Sequence, residues 1–199
     1  MSTPTRWAGV PLTDRRIERR GLLIDAAFDV FGTLGAAGLS VRSVCRACDL
    51  NTRYFYESFA DTDELLGAAY DMVAGRLAVR VEEAMSAAGP SVRSRTAAGV
   101  RAVLGFGSDD PRCGRILFTE GRTHPVLAAR RSASRDLLTE LTLAETSAAA
   151  RSARDPLALH TGATMFTGAM AELAHQWLAG NLGDDLDAVV DRAVAFVLR

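Results

Sequence analysis

Residues 40–65 read S-V-R-S-V-C-R-A-C-D-L-N-T-R-Y-F-Y-E-S-F-A-D-T-D-E-L, and this stretch decides the fold. Ser40 offers a hydroxyl that caps a short helix over 41–48. A three-residue break and a second short helix, over 52–58, follow it. Two short helices joined by a tight turn predict either a helix-turn-helix, whose second helix lies in the major groove of DNA, or a helical hairpin inside an all-helical core. Helical periodicity alone leaves both interpretations open.

The segments on either side of this stretch also predict helices. Upstream, 14–34 repeats apolar residues at helical spacing, and Gly35 ends the segment. Downstream, Asp61 and Glu64 form a capping-box-like start for a helix over 61–87. Five further helices are predicted over 91–106, 112–121, 124–150, 156–180 and 185–199. There is no sustained alternation of Val, Ile and Thr that would indicate strands, so the expected fold is all-α with about nine helices.

The charge of the chain is divided unevenly along its length. Its 199 residues contain 23 basic residues, all of them arginine, and 24 acidic ones. Residues 1–56 carry eight arginines against five acids, whereas the remainder carries fifteen against nineteen. A basic N-terminal part attached to an acidic remainder favours a nucleic-acid-binding end.

The second short helix supplies the candidates for reading DNA. Its outer surface offers Thr52, Arg53 and Tyr54. An arginine can donate two hydrogen bonds to O6 and N7 of guanine, which predicts a base contact for Arg53. Phosphate contacts are predicted for Ser40, Arg42 and Tyr56, Ser40 because it stands at a helix N-terminus.

Residues from about 16 to 69 resemble the N-terminal DNA-binding domain of the tetracycline-repressor (TetR) family. The first helix carries A-A-F-D-V-F-G at 26–32, and Tyr56, Phe59 and Leu65 match the family's Tyr-x-x-Phe and the leucine that follows it. The small apolar positions of the family's second helix and turn are held by Val44, Cys45, Cys48 and Leu50. Two positions depart from the pattern. Asp49 stands where the family usually has glycine, and Thr62 stands where it usually has a phosphate-binding lysine.

The resemblance implies two domains with different functions. A three-helix helix-turn-helix DNA-binding domain is expected over 14–60, and a helical ligand-binding and dimerisation domain over 61–199, with 61–87 as the connecting helix. It implies a one-component transcriptional regulator, most commonly a repressor, that leaves a palindromic operator when a small molecule binds. The expected partners are double-stranded DNA, a small-molecule effector and a second copy of the chain. Neither a catalytic residue nor a cofactor is expected, and the chain is not expected to be an enzyme.

An apolar cavity for the effector is predicted in the second domain, because helical bundles often bind ligands between their helices. Core packing is the competing interpretation for each of these residues. The candidate lining is mainly apolar, with a few polar side chains to orient a ligand. It comprises Phe106, Leu117, Phe118, Glu120, Arg122, His124, Leu138, Leu141, Phe166, Thr167, Met170 and Trp177.

The last two helices carry more apolar residues than a terminal hairpin needs. In the resembled family this pair forms a four-helix interface with its symmetry mate, so a homodimer is expected here. The candidate interface residues are Leu173, Val189, Val190, Ala193, Val194, Phe196 and Val197.

Other chemistries have little support in the sequence. Cys45 and Cys48 form a C-x-x-C pair, but a second pair is lacking and the resemblance places both at buried positions, so no metal or disulfide is expected. No histidine pair has ligand spacing, and no phosphate-binding or nucleophile motif occurs. Two alternatives to a regulator remain. One is a small helical enzyme using Glu120, Arg122 and His124, and the other is a dimeric adaptor whose N-terminal domain has lost DNA binding.

No apolar run approaches the length of a membrane span, and the N-terminus lacks the apolar core and cleavage site of a signal peptide. A cytoplasmic protein without a membrane partner is therefore expected.

Overall fold

The computed structural model describes the backbone of residues 6–7, 10–149 and 155–198, and the side chains of 15–136, 138–140 and 155–198. Over this part of the chain the fold is all-α, as predicted. The ten helices described are α1 (Leu12–Leu34), α2 (Val41–Ala47), α3 (Thr52–Tyr56), α4 (Thr62–Ala87), α5 (Val92–Asp109), α6 (Pro111–Phe118), α7 (Glu120–Thr123), α8 (Ala128–Ala149), α9 (Pro156–Leu178) and α10 (Leu186–Val197). A two-residue antiparallel pair, β1 (Arg6–Trp7) and β2 (Val10–Pro11), precedes α1.

The chain divides into two compact units, Met1–Asp71 and Met72–Arg199. The division falls inside α4, whereas the sequence analysis placed the domain boundary at the start of that helix. One continuous helix therefore contributes its first turns to the N-terminal unit and the rest to the C-terminal unit.

Helices α1, α2 and α3 pack around one apolar core in the N-terminal unit. Phe31, Val44 and Phe55 are fully buried, together with Leu23, Ala27 and Leu65. Burying a side chain as large as that of Phe55 stabilises the fold by about 2–3 kcal/mol. The apolar periodicity of 14–34 thus identified the buried face of α1 as far as Phe31, but it is wrong for Leu34, which is 62% exposed.

The turn between α2 and α3 depends on the backbone conformation of Asp49. This residue has φ 52°, and it has the only positive φ among the non-glycine residues described. Aspartate tolerates the left-handed region better than most residues, so it can serve where the resembled family has glycine. The backbone N–H of Leu50 donates to the carbonyl of Cys45 at 2.9 Å and closes the end of α2.

The start of α4 confirms the predicted capping box, with one change. The N–H of Glu64 donates to Asp61 Oδ1 at 2.8 Å, as expected for an N-cap. The Glu64 carboxylate accepts from the N–H of Ala60, at 2.8 Å, rather than from that of Asp61.

In the C-terminal unit, α5 runs three residues further than predicted and includes Gly107. A Cβ at Gly107 would lie 2.9 Å from the Leu178 side chain and 3.1 Å from the backbone of Gly114. The two glycines therefore allow α5, α6 and α9 to approach closely. The predicted loop over 107–111 is wrong because this tight packing keeps the chain helical as far as Asp109.

The segment predicted as one helix over 112–121 is two helices. Thr119 has φ −117° and ψ −97°, which interrupts the helix between α6 and α7. This break accounts for ten described helices where about nine were expected. Across the described parts of the chain, no helix combines the length and the apolarity that crossing a bilayer requires.

Candidate nucleic-acid interface

Helix α3 is fixed by its apolar underside and leaves its polar side outward. Phe55 is fully buried, and its ring packs edge-on against Tyr56 and near Phe59. Thr52, Arg53 and Tyr56 are exposed, Tyr56 to 64%. Arg42 is also exposed. These four predicted DNA-contacting residues are therefore accessible on the surface of the helix-turn-helix unit.

Ser40 performs the capping role that its position predicted. Its Oγ accepts the N–H of Ser43 at 3.0 Å, while the N–H of Ser40 donates to Ser43 Oγ at 2.9 Å. Ser40 remains exposed although its hydroxyl is engaged in this reciprocal cap.

Arg53 extends along the surface of α3 and contacts its own helix. Its side chain is 82% exposed, and its Nε donates to Glu57 Oε1 at 2.9 Å. The N-cap Asn51 accepts the backbone N–H of Arg53 at 2.9 Å through Oδ1, which fixes the start of the helix.

Tyr54 is placed differently from its neighbours. It is half-buried, and the guanidinium carbon of Arg19 lies 4.4 Å from the centre of its ring. One face of the ring is therefore covered by a cation from α1, a contact worth about 0.5–2 kcal/mol. Tyr54 stays a predicted DNA contact, but it is less accessible than Thr52 and Arg53.

The α1 arginine cluster, Arg16, Arg19 and Arg20, was missed as part of this surface. Arg16 Nη2 donates to the carbonyl of Glu57 at 2.6 Å, and Arg20 Nη1 donates to that of Ser58 at 2.5 Å. Arg20 also lies over the Phe59 ring at 4.0 Å. The run R-R-I-E-R-R at 15–20 signalled a basic helix, but its contact with α3 arises from tertiary packing.

The cysteines of the C-x-x-C pair occupy structural positions. Cys45 is 4% exposed, and Cys48 Sγ donates to the Val44 carbonyl at 3.3 Å. Burial raises the pKa of both thiols, and the proximity of Cys48 raises that of Cys45 further. Protonated thiols are poor nucleophiles and metal ligands. No group of three or more His, Cys, Asp or Glu is arranged to hold a metal within the described residues.

The predicted effector-binding residues separate into buried and exposed groups. Phe106, Leu117 and Phe118 are each 8% exposed and belong to the packed interior. Phe166 and Met170 are half-buried, and Leu138 is 40% exposed, so Leu138 lies at the surface rather than in a lining. The side chain of Leu141 lies outside the described residues.

The polar residues predicted to bind the effector already contact other residues of the same chain. Arg122 pairs with Glu172 at 2.6 Å, and Glu120 lies 3.7 Å from Arg115. The hydroxyls of Thr167 and Thr139 are buried and lie 3.4 Å apart. His124 is half-buried, and its carbonyl accepts from Arg131 at 2.8 Å. An anionic ligand that uses Arg122 would have to displace the Glu172 carboxylate.

Two grooves in the C-terminal unit are large enough for a small molecule, which typically needs 300–1,000 Å³. One has a volume of about 470 Å³ and is lined by Gly107, Ser108, Gly114, Trp177, Leu178 and their neighbours. Trp177 is the one predicted effector residue in this lining, and its Nε1 donates to Ser108 Oγ at 2.8 Å. The other, about 380 Å³, is lined by residues of α9 and α10 that include Leu173, Val189 and Ala193.

The predicted dimer residues also divide into two groups. Val190 and Val194 are each 1% exposed, because α10 packs against α5 within one protomer. Their assignment to an interface is therefore wrong, since no surface remains for a partner. Leu173, Val189 and Ala193 are half-buried, whereas Phe196 is 74% and Val197 42% exposed.

Comparison with known proteins gives a consistent result for the N-terminal unit. Residues 23–69 match the family described as "Bacterial regulatory proteins, tetR family". No curated protein sequence matches the chain.

Several solved structures share the fold over nearly the whole chain. The fatty acid degradation regulator FadR from Bacillus halodurans is 18% identical with a TM-score of 0.71, covering 90% of this chain and 94% of its own. FadR from Bacillus subtilis, solved with stearoyl-CoA, is 16% identical with a TM-score of 0.70, over 89% and 96%. A transcriptional regulator from Rhodococcus sp. Rha1 is 19% identical with a TM-score of 0.72, over 90% and 95%.

These findings agree with the geometry of the N-terminal unit. A buried underside and an exposed polar side on α3, a capped α2 and a tight turn at Asp49 form a helix-turn-helix within residues 23–69. Residues 23–69 therefore form a helix-turn-helix unit of the TetR type, and the chain shares its overall fold with the solved structures named above.

Proposed function

We propose that the protein is a transcriptional repressor that binds a palindromic operator as a homodimer and is released by a small, mainly apolar molecule. The observation that carries this proposal is the exposed side of α3, on which Arg53 is 82% exposed above a fully buried Phe55. A rigid short helix with an outward arginine suits the reading of guanine in the major groove. The arginines of α1 that lie beside α3 are suited to contact DNA phosphates close to that guanine.

Homodimerisation is supported by apolar side chains that the protomer leaves exposed on its last two helices. Phe196 is 74%, Met165 68% and Leu157 72% exposed. A two-fold dimer through α9 and α10 would cover such side chains and pair two recognition helices about one helical turn of DNA apart or a multiple of it.

A mainly apolar effector is supported by the half-buried Phe166 and Met170 and by the 470 Å³ groove beside Trp177. Two structurally similar regulators are described as a fatty acid degradation regulator and a complex with stearoyl-CoA. A compound with an acyl chain is therefore the first class to test.

The coupling between effector and DNA would run through α4, which belongs to both compact units. An effector that favours one arrangement of the C-terminal helices would tilt α4 and change the spacing of the paired recognition helices. A preference of about 3 kcal/mol for the non-binding state would weaken operator affinity on the order of 100-fold.

A regulator is a better interpretation of this site than an enzyme. Two of the three groups that an enzyme would use, Glu120 and Arg122, are paired with Arg115 and Glu172. The surface of the helix-turn-helix, by contrast, has its predicted arginine exposed.

The test is DNA binding followed by competition. The purified protein is mixed with intergenic DNA from the flanks of its own gene at ~0.15 M salt, with unrelated DNA as the control. We expect selective binding, which fatty acids or acyl-CoA esters then weaken. Equal, weak binding to all DNA would contradict the proposal, and selective binding unaffected by any acyl compound would contradict its effector part.

A further inference from the structure

Glu57 stands at the end of α3 and holds the arginine that faces outward from it. Its Oε1 accepts from Arg53 Nε at 2.9 Å. The Arg53 side chain nevertheless remains 82% exposed, and Glu57 contacts the inner nitrogen of its guanidinium. The two terminal nitrogens are left at the exposed end of the side chain.

The position of the Glu57 carboxylate is itself fixed from a second helix. Its Oε2 lies 3.7 Å from Arg19 Nη2, and Arg19 rests against the ring of Tyr54. The main-chain carbonyl of Glu57 accepts from Arg16 Nη2 at 2.6 Å. The end of α3 is therefore attached to α1 at both the side chain and the backbone of this residue.

We infer that Glu57 is a positioning residue that determines sequence specificity by fixing the direction of the Arg53 guanidinium. This inference rests on the proposed DNA-binding function. An unrestrained arginine side chain has several rotatable bonds and can contact either a base or a phosphate. A carboxylate on Nε removes much of that freedom and leaves Nη1 and Nη2 as a fork for O6 and N7 of guanine.

The Glu57 carboxylate should also lower the affinity of the protein for DNA of any sequence, because it is negatively charged. It is half-buried and negatively charged at the end of the proposed recognition helix, so it repels the phosphates of any DNA that this helix approaches. Its removal should therefore raise affinity for any DNA sequence while it lowers discrimination at one base pair. A residue with only a structural role would lower both together, so the two effects separate the explanations.

The experiment compares Glu57→Met, which removes both the charge and the oxygen that accepts from Arg53 Nε, with Glu64→Gln. Both substitutions remove one negative charge near the α1 arginine cluster, since Glu64 lies 3.9 Å from Arg20. Glu64 caps the N–H of Ala60 through Oε2, and glutamine retains an oxygen for that hydrogen bond. Glu57→Asp is the third variant, because it keeps the charge but shortens the reach to Arg53 by one methylene.

Each variant selects sites from a randomised double-stranded DNA library with a variable region of about 20 base pairs, enough for two half-sites. The sites selected by Arg53→Ala are compared with those of the wild type. The position at which the base preference is lost is the base pair that Arg53 reads. Titration of duplexes with each base there, and of an unselected duplex, then gives specific and non-specific affinities. Thermal unfolding of each variant confirms that it is folded.

We expect Glu57→Met to lose about 5-fold or more of the discrimination at that base pair, and to bind the unselected duplex as tightly as Glu64→Gln does. Glu57→Asp should lose discrimination without gaining non-specific affinity. Glu64→Gln should keep the wild-type preference at every position.

Three results would overturn the inference. Unchanged discrimination in folded Glu57→Met would show that the direction of the Arg53 guanidinium does not depend on Glu57. Tighter specific binding with equal or greater discrimination would show that Glu57 competes with DNA rather than positions Arg53. If the wild type selects no sequence at all, the proposed function fails as well, and this outcome is recognised because the wild type and Arg53→Ala then give the same profile.

Discussion

The guanidinium of Arg19 in α1 lies 4.4 Å from the centre of the Tyr54 ring in α3. This contact links the first helix of the chain to the helix proposed to read DNA. Together with the bonds from Arg16 and Arg20 to the carbonyls of Glu57 and Ser58, it attaches the C-terminal end of α3 to α1. The direction of α3 is therefore determined by α1 as well as by its own apolar side.

Replacing Arg53 with alanine should relax sequence preference more than it weakens general binding. We expect a loss of about 1–3 kcal/mol on the preferred duplex and little on unselected DNA, because a bidentate base contact carries sequence information. Tyr56→Phe is the matched comparison: it removes an exposed hydroxyl and should weaken all sequences alike. Titration of both variants against preferred and scrambled duplexes measures the difference, and a uniform loss in both would contradict the division between base and phosphate contacts.

Replacing Cys45 and Cys48 together with alanine should leave folding and DNA binding nearly unchanged. Both thiols act as small buried or half-buried groups with a raised pKa, so the cost should be about 1–2 kcal/mol for lost packing. Urea denaturation and DNA titration, with and without zinc or a mild oxidant, provide the measurement. A dependence of wild-type affinity on zinc or oxidant that the double variant lacks would show that the pair has a chemical role.

Phe196→Asp should dissociate the dimer without unfolding the protomer. The side chain is 74% exposed in one protomer, so a charge there is buried only if a partner covers it. A buried unpaired carboxylate costs several kcal/mol, which should weaken dimerisation by at least ~100-fold. Sedimentation equilibrium measures the mass.

Two controls accompany this substitution. Val79→Asp places the same charge at a 55% exposed position on α4 and should leave the mass unchanged. Val190→Asp, at a 1% exposed position, should instead unfold the protomer. A dimer mass retained by Phe196→Asp would place the interface elsewhere.

Substitutions of Thr139 and Thr167 should have strongly non-additive effects on the free energy of unfolding, because their buried hydroxyls contact each other. Thr167→Val removes one partner of the 3.4 Å contact and leaves the other hydroxyl without it, at a cost of about 1–2 kcal/mol. The double variant Thr139→Val, Thr167→Val replaces both with apolar groups of the same shape and should be nearly neutral. Free energies of unfolding for the four proteins give the coupling, and strictly additive losses would exclude it.

Stability toward acid should depend on Asp110, the N-cap of α6. Hydrogen bonds from the side chain of Arg112, and from its backbone N–H at 3.0 Å, hold the pKa of this carboxyl below its usual value. The stabilisation that charged Asp110 adds to the folded state is therefore present above the usual carboxyl pKa of about 3.9. It is lost as the pH falls through the lowered pKa of the folded state. Asp110→Asn keeps a capping oxygen but loses the charge, so stability should fall less steeply below about pH 4.

Urea midpoints between pH 7 and pH 2 test this expectation. Asp155→Asn is the matched control, because Asp155 caps α9 through the Leu157 N–H at 2.9 Å in the same way. If the urea midpoint of Asp110→Asn falls as steeply with decreasing pH as that of the wild type, the expectation for Asp110 is contradicted.

Local signals in the sequence predicted most of the helices, and the resemblance to the TetR family implied the helix-turn-helix. Period-3.6 apolar spacing, the caps at Ser40 and Asp61 and the glycine at 35 are local signals, and they act within a few residues. The same local logic explains why Asp49 could be expected to adopt the left-handed turn. The outward position of Arg53 also follows from its spacing to the buried Phe55 on one short helix.

Tertiary structure alone decided which of these residues have partners. The i,i+4 spacing places Glu57 beside Arg53, but the contacts of the α1 arginine cluster with Glu57 cross about 40 residues of chain. Val190 and Val194 have the same apolar pattern as Val197, but packing against α5 buries them and leaves Val197 exposed. Spacing along a helix predicts which residues share a face. Whether that face meets another helix of the same chain, or remains open to a partner, depends on contacts between distant segments that no local pattern encodes.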